Sequence, residues 1–259
     1  MQETIEIALA FFAKFVTIRD VYIINGIFDS SHERMRKRCD MSQYLEEFSQ
    51  ILEGENKEEA VRFALDLLRT ETLDVIGLYS EILTPALNHM KCNLKEKQVC
   101  VWKEHVRTAI VRTIVENCYP YVLEKRGAGA NKGTAVVICP PGEYHDLGAR
   151  MVADFFTICH YDTVFVGSNT PYEDFYNAAD LIHPDIIAIS VSNYYNLVVT
   201  KKIVAELKNK TGHKAKIVVG GYAFRDNREN HLATVGADSY AESFSDIKRI
   251  AEAGGNGRN

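Results

Sequence analysis

The strongest constraint on the fold is a series of short, apolar, β-branched runs that alternate with helical stretches in the second half of the chain. We expect strands at Thr134–Cys139, Asp162–Val166, Asp185–Val191, Ala215–Val219 and, more weakly, Ala237–Ala241. Helices are expected between and after them, at Gly148–Cys159, Tyr172–Ile182, Leu197–Leu207 and Phe244–Ala253. Strands that are apolar almost throughout are typical of a parallel sheet covered on both faces. The pattern predicts a doubly wound, flavodoxin-like or Rossmann-like α/β domain over residues 134–259.

The first half of the chain has a different pattern. A glycine-rich segment, Gly127–Gly133, separates the two halves. Before it, apolar residues recur at helical spacing and predict a helical bundle over residues 44–126, preceded by a helical extension over residues 1–43. Its helices are expected at Tyr44–Leu52, from the cap Asn56, from Glu71 with a break or kink at Pro85, and from Glu96 to Leu123.

Composition narrows the classes of partner. The net charge of -5 and pI of about 5.9 argue against an extended nucleic-acid surface. The apolar segment Ile5–Phe28 is interrupted by charged residues, so we expect a buried helix or a protein-partner surface there and no membrane span. None of the six cysteines forms a Cys-x-x-Cys pair, which favours free thiols and a cytoplasmic location.

Ligands of doubly wound sheets bind outside the carboxyl ends of the strands, so the loops after the strands matter most. The first such loop, Pro140–Gly148, carries His145 at its tip and Glu143 two residues earlier. Neither a Gly-x-Gly-x-x-Gly fingerprint nor a P-loop is present. The two most common ligands of this architecture, dinucleotides and nucleoside triphosphates, therefore have no support from the sequence.

The segment Glu143-x-His145-x-x-Gly148 resembles the signature of cobalamin-binding domains, whose more familiar form has Asp in the first position. The resemblance continues through Ser190 and Gly220-Gly221 in the later loops and covers the whole C-terminal half. It implies a cobalamin cofactor, adenosylcobalamin or methylcobalamin, with His145 as the axial ligand to cobalt. It also implies that the cofactor's dimethylbenzimidazole base is displaced and its nucleotide tail threads past the serine and the glycines.

The chemistry fits this resemblance. Imidazole is a good ligand for a borderline transition metal, and a carboxylate in the second coordination shell usually orients it. Glu143, or less directly Asp146, is the candidate for that role, and glycines such as Gly148 allow the tail to pass close to the backbone. One departure is Ser192, which stands where the family has leucine in Ser-x-Leu, so tail contacts there are expected to differ.

The helical half resembles the bundle that covers the upper face of cobalamin in methionine synthases, corrinoid methyl carriers and CarH-type photoreceptor regulators. The segment Val101–His105 and the glutamate form of the loop are most similar to the photoreceptors, in which a Glu-His pair, here Glu104 and His105, faces the upper ligand. The photoreceptor tryptophan is replaced by Leu94. Trp102 either substitutes for it or is a core residue, and we favour the core; for His105 the ligand-facing and structural readings are equally balanced.

Two functions remain open. The first is a light- or cobalamin-responsive sensor that signals through a protein partner or a change of oligomeric state. Residues 1–43 are too few for the DNA-binding domain of the photoreceptors, and the basic run Arg34–Arg38 is typical of a solvated turn, so no direct nucleic-acid contact is expected. The alternative is a corrinoid methyl carrier of a methyltransferase system. No independent catalytic site is evident, so we do not expect a free-standing enzyme.

Overall fold

The structure, a computed structural model, describes residues 41–88, 97–210 and 215–254. The chain divides into two compact units, residues 1–47 and 48–259. Several predictions lie outside the described residues: most of the extension over residues 1–43, including Ile5–Phe28 and the basic run Arg34–Arg38, and the position of Leu94.

The helical half begins with a helix over residues 41–53 (α1), close to the predicted Tyr44–Leu52. The next helix, α2, spans Lys57–Arg69 and starts at the predicted cap, where Asn56 Oδ1 accepts a hydrogen bond from the Glu59 amide at 3.2 Å. This bond satisfies one of the amide groups that the first helical turn leaves without an intrahelical partner. Helix α2 packs against α4, the long helix Lys97–Asn117.

At two prolines, the helices continue or end differently from the predictions. Helix α3 consists of the consecutive segments Val75–Gly77, Leu78–Leu83 and Thr84–Asn88, so it continues through Pro85 instead of breaking there. The middle segment is π-helical, and its wider turn changes the hydrogen-bond pattern just before the proline. The predicted helix Glu96–Leu123 is two helices, α4 and α5 (Tyr119–Arg126), because Pro120 has no amide hydrogen and begins a new helix.

The predicted parallel sheet is confirmed. Five strands lie in the order β2-β1-β3-β4-β5, and every pairing is parallel. Their bounds are Thr134–Ile138, Asp162–Gly167, Ile186–Ser190, Lys216–Gly220 and Ser239–Tyr240. This order is that of the flavodoxin-like doubly wound fold, whose topological switch point lies between β1 and β3.

Helices cover both faces of the sheet. They are α6 (Leu147–Ile158), α7 (Tyr172–Ile182), α8 (Leu197–Lys210), α9 (Arg228–Val235) and α10 (Phe244–Gly254). One core cluster joins the central strands to α7, α8 and α9, with Ile187, Ile203 and Phe224 fully or almost fully buried. Helices α6 and α10 pack together, and the rings of Phe155 and Phe244 lie 5.2 Å apart.

A buried polar cluster joins the helical half to α6. The Tyr79 hydroxyl donates to Asp154 Oδ2 at 2.9 Å, and Arg150 donates to the other carboxylate oxygen at 2.5 Å. Burial raises the pKa of Asp154, although the charge of Arg150 opposes that rise. Arg150 also reaches Glu116 on α4 at 3.3 Å. Because each buried group has partners, the cluster fixes how the helices dock on the sheet domain.

Cys118, Cys139 and Cys159 are free and buried, as predicted. Cys100 is disulfide-bonded, so the expectation of free thiols is wrong at that position. None of the helices in the described ranges combines the length and apolar character needed to cross a bilayer.

Candidate functional site

The loop between β1 and α6 is built around the side chain of Glu143. This carboxylate is completely buried. Its Oε2 accepts hydrogen bonds from the backbone amides of Ser192 at 2.9 Å and Asn193 at 2.8 Å, and from Asn196 Nδ2 at 3.1 Å. All three donors belong to the loop after β3, so Glu143 joins the two loops that flank the switch point of the sheet.

The other oxygen of Glu143 holds His145. Oε1 accepts from the His145 backbone amide at 3.2 Å and from the ring Nδ1 at 2.8 Å. A carboxylate oxygen only accepts, so Nδ1 carries a proton, and in the neutral form of the ring the lone pair is on Nε2. The His145 side chain is 63% exposed, in contrast to its buried partner. The arrangement orients the ring so that Nε2 lies on the side away from the carboxylate.

The charge state of Glu143 follows from these contacts. Burial tends to raise its pKa, but the hydrogen bonds from Asn193, His145 and Asn196 outweigh burial and lower the pKa below its ordinary value. The carboxylate is therefore ionised at neutral pH, which strengthens its bonds to the donors. Nearby, burial raises the pKa of the Cys139 thiol to about 12, and the charges of Asp146 and Glu143 add to the effect, so this thiol stays protonated.

Asp146 does not orient His145, although the sequence left that role open. Its Oδ1 forms an ion pair with Arg112 on α4. Asp146 occupies the N-cap position of α6, but its side chain makes no capping hydrogen bond. The carboxylate is instead directed to the helical half, so the loop that carries His145 is anchored to α4 through the next residue.

Five of the predicted site residues line one cavity of ≈ 420 Å³. They are Gly148, Ser190, Ser192, Gly220 and Gly221. The cavity lies between helix α3, which contributes Ser80, Thr84 and Asn88, and the carboxyl ends of β3, β4 and β5. Most of its lining is apolar, with Val218, Phe155 and Ile247 among the contributors. The structure thus brings together the loops that the sequence singled out.

The glycines serve two different purposes. A Cβ at Gly148 would meet nothing within 4 Å, so this position opens directly onto free space. At Gly220 a Cβ would lie 2.4 Å from the Ala241 carbonyl oxygen, and at Gly221, where φ is +104°, it would lie 2.4 Å from the Val191 carbonyl oxygen. Glycine is therefore required at the last two positions by the protein's own backbone, whatever passes through the cavity.

The predicted upper-face residues are not part of this cavity. Trp102, Glu104 and His105 are all exposed on α4, and none of them lines it. Trp102 is 69% exposed, so the preferred reading of it as a core residue is wrong. His105 and Arg112 are seven residues apart, about two helical turns, so they project from the same side of α4. The side that carries His105 is therefore the side that contacts the His145 loop.

Sequence reasoning missed several residues that build the site. Asn193 and Asn196 hold Glu143, and Asn169 accepts from the Gly142 amide at 3.0 Å while its own amide donates to the Glu143 carbonyl at 2.9 Å. All three asparagines lie in loops at the carboxyl edge of the sheet. That position was the available signal, but their hydrogen-bond partners are distant in sequence.

The fold and this site define a class of protein. A doubly wound sheet carries, next to its switch point, a histidine oriented by a buried carboxylate and a largely apolar cavity beside it. A nitrogen ligand with a fixed tautomer is suited to a transition metal, and the cavity is suited to a long, partly apolar group attached to it. These residues fit a cobalamin whose lower base has left the cobalt.

Comparison with known proteins agrees with a cobalamin site. Residues 133–247 match the family model of the B12 binding domain. These residues, somewhat less than half of the chain, are similar to that family, and the match supports cobalamin as the cofactor.

Named relatives and a solved structure point in the same direction. Trimethylamine corrinoid protein 1 of Methanosarcina acetivorans is 27% identical over 154 residues, which cover 58% of this chain and 70% of the relative. Its namesake in Methanosarcina mazei is 28% identical over 134 residues, covering 51% of this chain and 61% of the relative, less than two thirds of its length. The Methanosarcina barkeri monomethylamine corrinoid protein has a similar fold, with a TM-score of 0.70, 14% identity and coverage of 81% of this chain and 97% of that one.

Proposed function

We propose that this chain is a corrinoid methyl carrier that binds cobalamin through His145 and presents it to a partner methyltransferase. The observation that carries the proposal is the pair formed by His145 and Glu143. The carboxylate is buried, ionised and held by three donors from a second loop, so the imidazole is positioned before any cofactor arrives. Such preorganisation reduces the ordering that binding requires.

Each group then has a definite role. When bound, the cofactor supplies a cobalt that accepts and releases a methyl group. His145 Nε2 is the proposed axial ligand, and Glu143 keeps the proton on Nδ1 and makes the ring a better donor. Ser190, Ser192 and Gly148 line the cavity that we assign to the nucleotide tail. Gly220 and Gly221 shape its wall through backbone packing.

The relatives support the carrier over the sensor. Those named above are corrinoid proteins named for trimethylamine, and others at 25% to 28% identity are named for dimethylamine. We infer that the present chain takes its methyl group from a small methylated substrate through a separate methyltransferase, because the relatives it resembles are corrinoid proteins named for methylamines. The resemblance to photoreceptor regulators gains no support from these relatives.

The exposed residues of α4 bear on both candidate functions. Trp102, Glu104 and His105 are exposed on α4, and His105 projects from the side of the helix that contacts the His145 loop. We place these residues over the upper face of the cofactor in either function. In a sensor they would respond to loss of a bulky alkyl ligand, whereas in a carrier they would leave room for a methyl group.

Cofactor loading in the dark distinguishes the two. The protein is loaded separately with methylcobalamin and adenosylcobalamin, and absorption spectra and size-exclusion profiles are recorded before and after illumination. A carrier is expected to bind methylcobalamin at least as tightly as adenosylcobalamin and to keep the same elution volume after photolysis. Preferential binding of adenosylcobalamin together with a change in elution would support the sensor. His145→Ala is the control, since it should remove the histidine-ligated spectrum in both cases.

A further inference from the structure

The cavity that we assign to the nucleotide tail has a single cationic side chain among the described residues that line it. Arg225 follows the short helical turn Tyr222–Phe224 after β4, and its side chain is 40% exposed. Its guanidinium carbon lies 5.1 Å from the centroid of the Tyr222 ring. Stacking of this kind holds the planar group in place while leaving its N–H edge available for an anion.

The acidic neighbour of Arg225 is shared with a second arginine. Glu242 also lines the cavity, but its Oε2 accepts from Arg228 at 3.0 Å, whereas Arg225 Nε lies 3.7 Å from its Oε1. The first distance is that of a hydrogen bond and the second is too long for one. Two arginines thus share one carboxylate, and Arg228 makes the shorter of the two contacts.

The rest of the lining suits the other parts of the tail. The wall formed by Val218, Phe155 and Ile247 is apolar and fits a benzimidazole ring, while Ser243 and Glu242 provide polar groups near Arg225 for a ribose. The remaining component of the tail is a phosphodiester, which carries one negative charge. A guanidinium pairs with phosphate oxygens through two parallel N–H bonds, an arrangement that an ammonium group does not reproduce.

We propose that Arg225 binds the phosphodiester of the nucleotide tail and so makes the protein select complete cobalamin over corrinoids that lack the nucleotide. The inference rests on the proposed function, because it takes the cavity to be the tail site. It adds a specificity residue to that function. Arg225 does not contact cobalt or its upper ligand in this account, so its loss should change which corrinoid binds and leave histidine ligation intact.

The test compares aquocobalamin with diaquocobinamide, which has no nucleotide, by spectral titration of the full chain. Wild type should bind aquocobalamin more tightly. Arg225→Met should lower that affinity about tenfold, the low end for a hydrogen bond to a charged group because the side chain is partly exposed. Its affinity for diaquocobinamide should be unchanged, which also shows that the variant is folded. Glu242→Gln, which removes the competing carboxylate, should raise aquocobalamin affinity about twofold.

Two further variants sharpen the result. Arg225→Lys keeps the charge but not the paired N–H geometry and should recover only part of the loss. Arg249→Met removes an exposed arginine of α10 that pairs with Asp246 and does not line the cavity, so it should leave both affinities unchanged. Equal losses for both corrinoids in Arg225→Met, or none for aquocobalamin, would overturn the inference. Failure of the part of the proposed function on which this inference rests, cobalamin binding through His145, would differ, because wild type itself would then show no histidine-ligated spectrum.

Discussion

Replacing Glu143 with glutamine tests how far this one carboxylate controls the site. The change keeps the size and shape of the side chain but turns one oxygen into an NH2 group. Oε2 accepts three hydrogen bonds and Oε1 accepts two, so the amide oxygen should take the Oε2 position. The NH2 group then faces the His145 backbone amide and ring, and two donors oppose each other.

The expected effects follow from that geometry. One backbone amide loses its acceptor, which costs roughly 1–3 kcal/mol, and the three remaining bonds lose their ionic character. Relief of the carboxylate's desolvation offsets part of this, so we expect stability to fall by about 2–4 kcal/mol. In addition, the NH2 group donates to Nδ1, which leaves the proton on Nε2, the wrong tautomer for cobalt. Loss of such an orienting carboxylate lowers metal affinity by about 10–100-fold.

Urea unfolding and spectral titration with aquocobalamin measure the two effects. Glu116→Gln is the matched control, because that carboxylate is 53% exposed, meets Arg150 at 3.3 Å and should cost at most about 1 kcal/mol. The pH dependence provides a second check. The pKa of Glu143 is lowered in the folded protein, so its stabilisation is complete above the ordinary value of 4.5 and is lost as pH falls through the folded value. Wild-type stability and cobalamin affinity in Glu143→Gln would refute the reasoning.

Two other predictions concern packing around the site. Tyr79→Phe should lower the free energy of unfolding by about 1–2 kcal/mol, because Asp154 loses a buried hydrogen-bond donor. Tyr161 is equally buried, but its hydroxyl lies 3.4 Å from a carbonyl oxygen, so Tyr161→Phe should cost less. Similar losses for the two variants in urea unfolding would contradict this prediction. Gly148→Ala should not lower the thermal midpoint, because alanine favours the helix more than glycine does, but it should weaken cobalamin binding. Gly221→Ala should destabilise the apoprotein itself because of its positive φ and its contact with a carbonyl. Equal thermal midpoints for the two alanine variants would show that the two glycines are not distinct.

The parallel sheet was predictable because the local pattern and the global fold agree. The strands are apolar almost throughout, and the loops between them carry glycine or proline where the chain must turn. The contact between Glu143 and His145 could also be predicted from the sequence, because the two residues are only two positions apart. In contrast, Asn193 and Asn196 are some fifty residues from Glu143, and only the folded sheet brings their loops together.

The errors also have physical causes. A large aromatic side chain usually buries much of its surface, which favours a core position for Trp102, yet this side chain is 69% exposed on α4. The ion pair of Arg112 with Asp146 depends on how α4 lies against the sheet domain, which local periodicity does not encode. The sequence predicts a break or kink at Pro85, but the chain stays helical there and a π-helical segment, Leu78–Leu83, precedes the proline.

The most direct test of the central claim is an electron paramagnetic resonance spectrum of the reduced Co(II) cobalamin bound to protein whose histidines carry nitrogen-15. The axial nitrogen splits each cobalt line into a triplet if it is nitrogen-14 and into a doublet if it is nitrogen-15. Ligation by His145 predicts doublets in the labelled protein, triplets in the unlabelled protein and no doublets in labelled His145→Ala. Triplets that persist in the labelled protein would show that the cofactor's own base remains on cobalt, and the account would be wrong.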